Sequence, residues 1–429
     1  MKTRVEKLIK KPFFRNVAIV ASGTAMAQVI YMALSPIITR VYGPEAYGLL
    51  GSFVAIISII APVAALTYPF AIVLPKKNKE AHELIHFSFI ISIGIAFTFS
   101  VILLLFYDSI INWLNLKHLS SFLFLLPFIA LFSGVLQIAE AWLIRTKQFR
   151  VTAKVTVLQA LVVQGSMVLI GISFPNASVL IYITVLAIGF KATLMIFLSE
   201  PSFYHQETTK RMNLQELKLL AVKYKDFSIF RAPEVLLDAI TLGVPILLLA
   251  KFFGPASAGF YSIGYTVLSI PIQLMGKSVG DVFYPRVSDA KNNGEDVTRL
   301  IKEATFYLGT IGILPYITII AFGPWLFSFV FGEEWETAGE YARWMAIWMF
   351  FRYLSSACLT AMPALSAQAF LLGSTVVSLI VKIFAFIAGL YIFSSAIAAI
   401  LIASLAETVL EIIFLFITIY ISKKQDQKN

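Results

Sequence analysis

The sequence predicts an all-α integral membrane protein of about twelve transmembrane helices, arranged as two parallel six-helix bundles. Three observations predict this. Apolar residues make up 59% of the 429 residues and charged residues only 14%, where a soluble domain carries about 25% charge. Windows of roughly 20 mostly apolar residues, the length that crosses a bilayer, recur along the whole chain. A loop motif that follows the first window returns after the seventh, about half a chain later.

The first six windows lie near 16–39, 46–74, 86–107, 121–144, 155–174 and 178–199, which makes residues 1–199 one bundle. The second six lie near 227–250, 257–283, 304–331, 341–362, 371–392 and 395–421, so that 227–429 forms the other. Residues 200–226 are the longest polar stretch. There Leu214, Leu217, Leu220 and Ala221 fall at helical spacing among Lys218, Lys223 and Lys225, the pattern of a linker helix lying on the cytoplasmic membrane surface.

Orientation follows from Lys and Arg, which cytoplasmic loops hold in excess. With the N-terminus inside, the basic clusters within 2–15, 76–79, 145–154, 210–225, 286–302 and 423–428 all face the cytoplasm. The opposite side receives only Arg40, Lys117, Lys251 and Arg343. Both termini are therefore expected in the cytoplasm. The net charge of +10 sets topology and meets lipid headgroups, and nucleic acid is set aside as a partner. Residues 1–15 run on into a full-length span, so they read as its flank and not as a cleaved signal peptide.

The repeat lies in the turns. After the first span the chain reads Arg40-Val41-Tyr42-Gly43-Pro44, with Gly48 four residues on; after the seventh it reads Lys251-Phe252-Phe253-Gly254-Pro255, with Gly259 four residues on. Pro36 and Pro245 precede the two motifs, and Pro62 and Pro271 follow them. A Gly-Pro turn alone is common between helices. Its return in order, in the corresponding loop of two six-helix sets, indicates halves in the same orientation, a repeat found in many transporters.

Soluble chemistry is not visible. Gly276-Lys277-Ser278 resembles the end of a phosphate loop, but Pro271 stands where that motif requires glycine. His82, His86, His118 and His205 fall in loops or at span ends without metal-ligand spacing, and Cys358 is the single cysteine. No catalytic residue, metal or cofactor is expected, although an enzyme with carboxylates or histidines at membrane depth stays open as an alternative.

Charges inside spans carry the functional reading, because each costs roughly 2.5–3.5 kcal/mol at mid-membrane even on a lenient scale. Arg231, Glu234 and Asp238 share one face of the seventh span, and Lys277 and Asp281 pair on the eighth. Arg231, Lys277 and Glu140 are close enough to span ends for their heads to reach the interface. Lys191, Arg352 and Lys382 are too central for that and point to a polar cavity or a buried pair. Glu407 and Glu411 share a face of the last span and repel unless one is protonated or held by a cation. They read as a coupling site or a helix–helix contact.

Ile38-Thr39-Arg40 through Gly43-Pro44 and Tyr47-Gly48, then Ala258-Gly259-Phe260-Tyr261-Ser262, Val282-Phe283-Tyr284-Pro285 and Phe331-Gly332-Glu333-Glu334-Trp335, resemble the Wzx-type oligosaccharide flippases. That family belongs to the multidrug/oligosaccharidyl-lipid/polysaccharide exporter superfamily, which also holds multidrug extruders and lipid II flippases. The resemblance implies a polyprenyl-diphosphate-linked oligosaccharide turned from the cytoplasmic to the outer leaflet, in the bacterial cytoplasmic membrane, for cell-surface polysaccharides such as O-antigen. It also implies alternating access around a cationic cavity, with glycosyltransferases and a glycan polymerase as possible partners. Arg231, Lys277 and Arg40 would lie on or near cavity helices. Lys191, Arg352 and Lys382 join them as candidate diphosphate or sugar ligands if they point inward. Glu234, Asp238 and Asp281 are the candidates for a proton or sodium ion. A multidrug/cation antiporter is the alternative within the superfamily.

Overall fold

The computed structural model describes residues 12–114, 117–200, 214–362, 364–365 and 367–427. The side chains at 12–18, 113–114, 214, 275–282, 284–285, 288, 292 and 368–369 lie outside that description, and with them Lys277 and Asp281. Helices follow one another as α1 (Pro12–Ile60), α2 (Asn78–Leu114), α3 (Leu126–Arg145), α4 (Phe149–Ser173), α5 (Ala177–Phe197) and α6 (Leu214–Lys223). Then come α7 (Ala232–Phe253), α8 (Pro255–Asn292), α9 (Val297–Phe331), α10 (Glu336–Ala361), α11 (Gln368–Phe393) and α12 (Ala396–Asp426). Among the described residues there is no strand, and nine segments are long and apolar enough to cross a membrane. One of these, Ile19–Val63, holds two of the expected spans, while α8 and α10 occupy the expected eighth and tenth. This is an all-α, multi-pass membrane protein.

The chain forms two compact units. Unit 1 runs to Tyr42 and takes in Ser52–Gly243; unit 2 takes Gly43–Gly51 and everything from Val244. The division read from the sequence, with bundles at 1–199 and 227–429, differs in two places. The first half of α7 groups with unit 1, and the short Gly43–Gly51 segment groups with unit 2.

Backbone contact explains the second difference. Gly43 interrupts α1 with φ 68° and ψ 174°, and Gly254 adopts nearly the same conformation, φ 87° and ψ 171°, ahead of α8. Both lie where a side chain is strained. Beyond these turns the two copies pack against each other. A Cβ on Gly48 would sit 1.7 Å from the Pro255 carbonyl oxygen, and one on Gly259 2.4 Å from that of Pro44. Pro44 and Gly48 are the repeat partners of Pro255 and Gly259, so the motif found twice in the sequence packs on its own copy. Tyr47 meets Trp335 edge to face at 5.5 Å in the same unit.

In unit 1 the expected second span, 46–74, is not one α-helix. It ends at Ile60 and continues as 3-10 turns over Ala61–Val63 and Tyr68–Val73, with Leu66 and Thr67 at positive φ. Pro62 and Pro69 supply no amide donors, and side-chain hydrogen bonds tie the break to its neighbours. Gln137 Nε2 donates to the Ala61 carbonyl at 2.6 Å, and Thr67 Oγ1 to the Phe227 carbonyl at 2.7 Å.

The linker helix α6 is present, but its apolar stripe faces protein. Leu217, Leu220, Ala221 and the following Tyr224 pack with Tyr68, Leu84 and Trp142. Lys223 pairs with Glu80, which also accepts from Tyr224 Oη at 2.8 Å. The Glu80 carboxylate raises the Lys223 ammonium above the usual lysine range. The expected linker residues 201–213 lie outside the described residues.

Unit 2 is built around α10, whose Tyr341, Met345, Trp348, Met349 and Tyr353 are buried with residues of α8, α9, α11 and α12. Asp426, at the end of α12, accepts the Val297 and Thr298 amides at 3.2 and 2.9 Å. The start of α9 is thereby capped by an acid of another helix, as its positive dipole end favours.

Candidate functional site

Charged side chains within the spans come together in pairs, and the pairs differ in how far they are removed from their surroundings. The most buried is in unit 2, where α11, α12 and α10 converge. Lys382 and Glu407 side chains are each only 5% exposed, with the ammonium 3.6 Å from Glu407 Oε1. The same ammonium lies 4.8 Å from the centroid of the Trp348 ring, near enough for cation–π attraction. Ser378 Oγ, one turn before Lys382 on α11, lies 2.9 and 3.1 Å from the two Glu407 oxygens. Beside the pair is a space of about 10 Å³, lined in part by Tyr261, Phe386 and Ser404, enough for one water.

One turn along α12, Glu411 accepts from Arg352 Nη1 of α10 at 3.2 Å. Its side chain is 8% exposed and that of Arg352 34%. Glu407 and Glu411 therefore do hold helices together, and the cations that relieve their repulsion belong to the chain itself.

In unit 1 Lys191 of α5 donates to Glu140 Oε1 of α3 at 2.8 Å. Both are more open than the unit 2 carboxylates, at 20% and 39%. Arg231 follows a π-turn over Phe227–Arg231 and pairs with Glu234 on the next turn of its own helix; its side chain is 52% exposed. Asp238 is half-buried and Arg40 exposed.

Of the six candidate cations, then, Lys191, Arg352 and Lys382 are each engaged by a carboxylate of another helix, and Arg231 by one of its own. Sequence reasoning named every carboxylate in these pairs but matched none of the three interhelical ones to its cation. The partners stand 29 to 59 positions away for Ser378–Glu407, Lys191–Glu140 and Arg352–Glu411, beyond any local pattern. Trp348 and Ser378, the remaining members of the unit 2 cluster, carry no sequence signal.

Comparison with known proteins identifies the fold and the family. No curated protein matches the chain. Among solved structures the fold is similar to an inward-facing multidrug resistance MATE family transporter of the MOP superfamily, at 12% identity and TM-score 0.71, covering 92% of this chain and 96% of that one. It is also similar to a MOP superfamily transporter from Pyrococcus furiosus, at 13% identity and TM-score 0.65 with 96% of each chain covered. A mutant of a Vibrio cholerae MATE transporter matches with TM-score 0.65 at 13% identity, covering 100% of this chain and 99% of that one. At such identities the likeness establishes the fold. The family comes from the sequence: residues 37–340 match the model described as "Polysaccharide biosynthesis protein", and with most of its length matched the chain belongs to that polysaccharide biosynthesis family, built on the MATE-like fold of the MOP superfamily.

Proposed function

We propose that this protein is a flippase that moves a polyprenyl-diphosphate-linked oligosaccharide from the cytoplasmic to the outer leaflet, for cell-surface polysaccharides such as O-antigen. The observation that carries the reading is the match to the polysaccharide biosynthesis family over 37–340, on a fold shared with transporters. Charge supports it. A diphosphate carries about two negative charges and cannot cross hydrocarbon unpaired, and this chain holds Arg40, Arg231 and Lys277 within or beside its spans. A transporter of similar fold from Pyrococcus furiosus is described as having a binding pocket of reverse polarity that suggests a different function. The protein works in a bacterial cytoplasmic membrane with both termini inside, alongside the glycosyltransferases and polymerase that make and consume its cargo. Glu234, Asp238 and Asp281 couple alternating access to a proton or sodium gradient. Lys191, Arg352 and Lys382 would reach the diphosphate only on release from their carboxylates, so Arg231 and Lys277 are the residues to test first.

The experiment is glycan export in cells lacking the native gene. Arg231→Ala and Lys277→Ala should each reduce surface glycan at least tenfold while membrane insertion stays normal. Arginine forks phosphate oxygens whereas lysine is a point charge, so Lys277→Arg should keep more activity than Arg231→Lys. Normal export with alanine at both positions defeats the assignment of these residues. Normal export without the protein defeats the flippase reading itself.

A further inference from the structure

Glu407 is buried within unit 2, and a charged carboxylate so enclosed needs a cation beside it. In this chain the cation is tethered. The Lys382 ammonium stands 3.6 Å from Glu407 Oε1, slightly beyond direct hydrogen-bonding distance, with the Trp348 ring on another side and the water-sized space between neighbours Tyr261 and Ser404. Apart from the ammonium, what remains is a carboxylate, the Ser378 hydroxyl oxygen and an aromatic face, with Ser404 lining the space beside them. Those are ligands for a small hard cation, since oxygen donors suit such ions and the ring face attracts any cation.

We infer that Glu407, Ser378, Ser404 and Trp348 form a monovalent-cation seat in unit 2, occupied by the Lys382 ammonium, which an alkali cation enters only when that side chain is removed. The seat is filled from within, so the natural protein takes up no sodium or potassium at this point. If a sodium gradient drives transport, it acts on other carboxylates. One turn away Arg352, its side chain 34% exposed, fills the same role for Glu411. The inference goes beyond the flippase reading and does not depend on it.

The test uses the full chain, purified in detergent and followed by thermal unfolding in sodium, potassium, lithium or N-methylglucamine chloride at equal ionic strength. The natural protein should unfold at one temperature in all four. Lys382→Ala should be destabilised in N-methylglucamine and recover by about 5 °C or more in at least one alkali cation, as binding to the folded state requires. That recovery should vanish in Lys382→Ala/Glu407→Gln. Lys382→Arg, which keeps a tethered cation, should stay indifferent to the salt. Recovery of Lys382→Ala only when an alkali cation is present throughout purification is the same support in stronger form. Three results overturn the inference: an alkali-cation shift in the natural protein that Glu407→Gln removes, no shift in a folded Lys382→Ala, or Lys382→Ala unrecoverable in every salt while the double variant folds.

Discussion

Unit 1 and unit 2 face the same difficulty, polar groups inside apolar spans, and resolve it with different chemistry. Unit 1 breaks its second span at Pro62 and Pro69 and ties the break to its neighbours with neutral hydrogen bonds, Gln137 to the Ala61 carbonyl and Thr67 to that of Phe227. Tyr42 likewise donates to the Met167 carbonyl at 2.8 Å. Its interhelical ion pair Lys191–Glu140 is partly open. Unit 2 keeps α10, α11 and α12 unbroken and places two carboxylates on one face of α12, each closed off by a cation from a different helix. The difference teaches which groups can change state cheaply. A neutral hydrogen bond at a helix break can be remade with small shifts, whereas an ion pair with both side chains 5% exposed holds its helices until a new partner arrives.

The largest effect expected from this contrast is in the closed pair. Glu407→Ala leaves the Lys382 ammonium buried against Trp348 with its carboxylate gone, a loss of about 3–5 kcal/mol. In thermal unfolding of the purified protein it should be the most damaging of the substitutions compared here. Lys382→Met/Glu407→Leu, which removes both charges and keeps apolar volume, should cost less than Glu407→Ala alone. A double variant worse than the single would mean that the pair adds net stability beyond satisfying itself, and the contrast with unit 1 would then be one of strength and not of closure.

A neutral donor in unit 1 should matter less. Gln137→Leu removes the amide that meets the Ala61 carbonyl, which still accepts from the Ala64 amide at 3.2 Å, and should cost about 0.5–1.5 kcal/mol, the net worth of one hydrogen bond. The expected reading is an unfolding temperature between those of the natural protein and Glu407→Ala. A loss as large as that of Glu407→Ala would show that the helix break, and not the charge cluster, governs stability.

The same contrast marks how far the sequence could be read. Span positions were legible because hydropathy is a local sum, and the repeat because Gly43, Gly48, Gly254 and Gly259 answer local demands, a positive φ or a backbone contact without a Cβ. That Gly48 and Gly259 meet each other was not legible, since the motif states what each backbone needs and not what supplies it. The 3-10 form of residues 61–73 was not legible, because it depends on a donor from α3, Gln137, and on an acceptor, the Phe227 carbonyl. Lys191, Arg352 and Lys382 stood out as too deep to reach the interface, which made a cavity or a buried pair the two readings. Choosing between them required knowing which helices are neighbours, and that is set by packing over the whole unit. The stripe of α6 shows the same limit: its helical period was visible, but an apolar stripe looks the same whether it meets lipid or Trp142 and Leu84.

The smallest effect falls on the open pair, and it tests the contrast most sharply. Lys191 and Glu140 join α5 to α3 with better hydrogen-bond geometry, 2.8 Å against 3.6 Å, than Lys382 and Glu407. If distance decided the energetics, Glu140→Gln would be the costlier change. Openness argues the opposite. With Lys191 20% and Glu140 39% exposed, neither side chain is enclosed by protein when its partner's charge is lost. An exposed pair is worth up to about 1 kcal/mol, so Glu140→Gln should lower the unfolding temperature by only a few degrees, well short of Glu407→Ala. Raising the salt concentration should shrink that small difference further, because an ion pair open to water is screened and a closed one is not. A salt-independent loss at Glu140 equal to that at Glu407 would show that its open side faces hydrocarbon, and burial among protein atoms would no longer separate the two units.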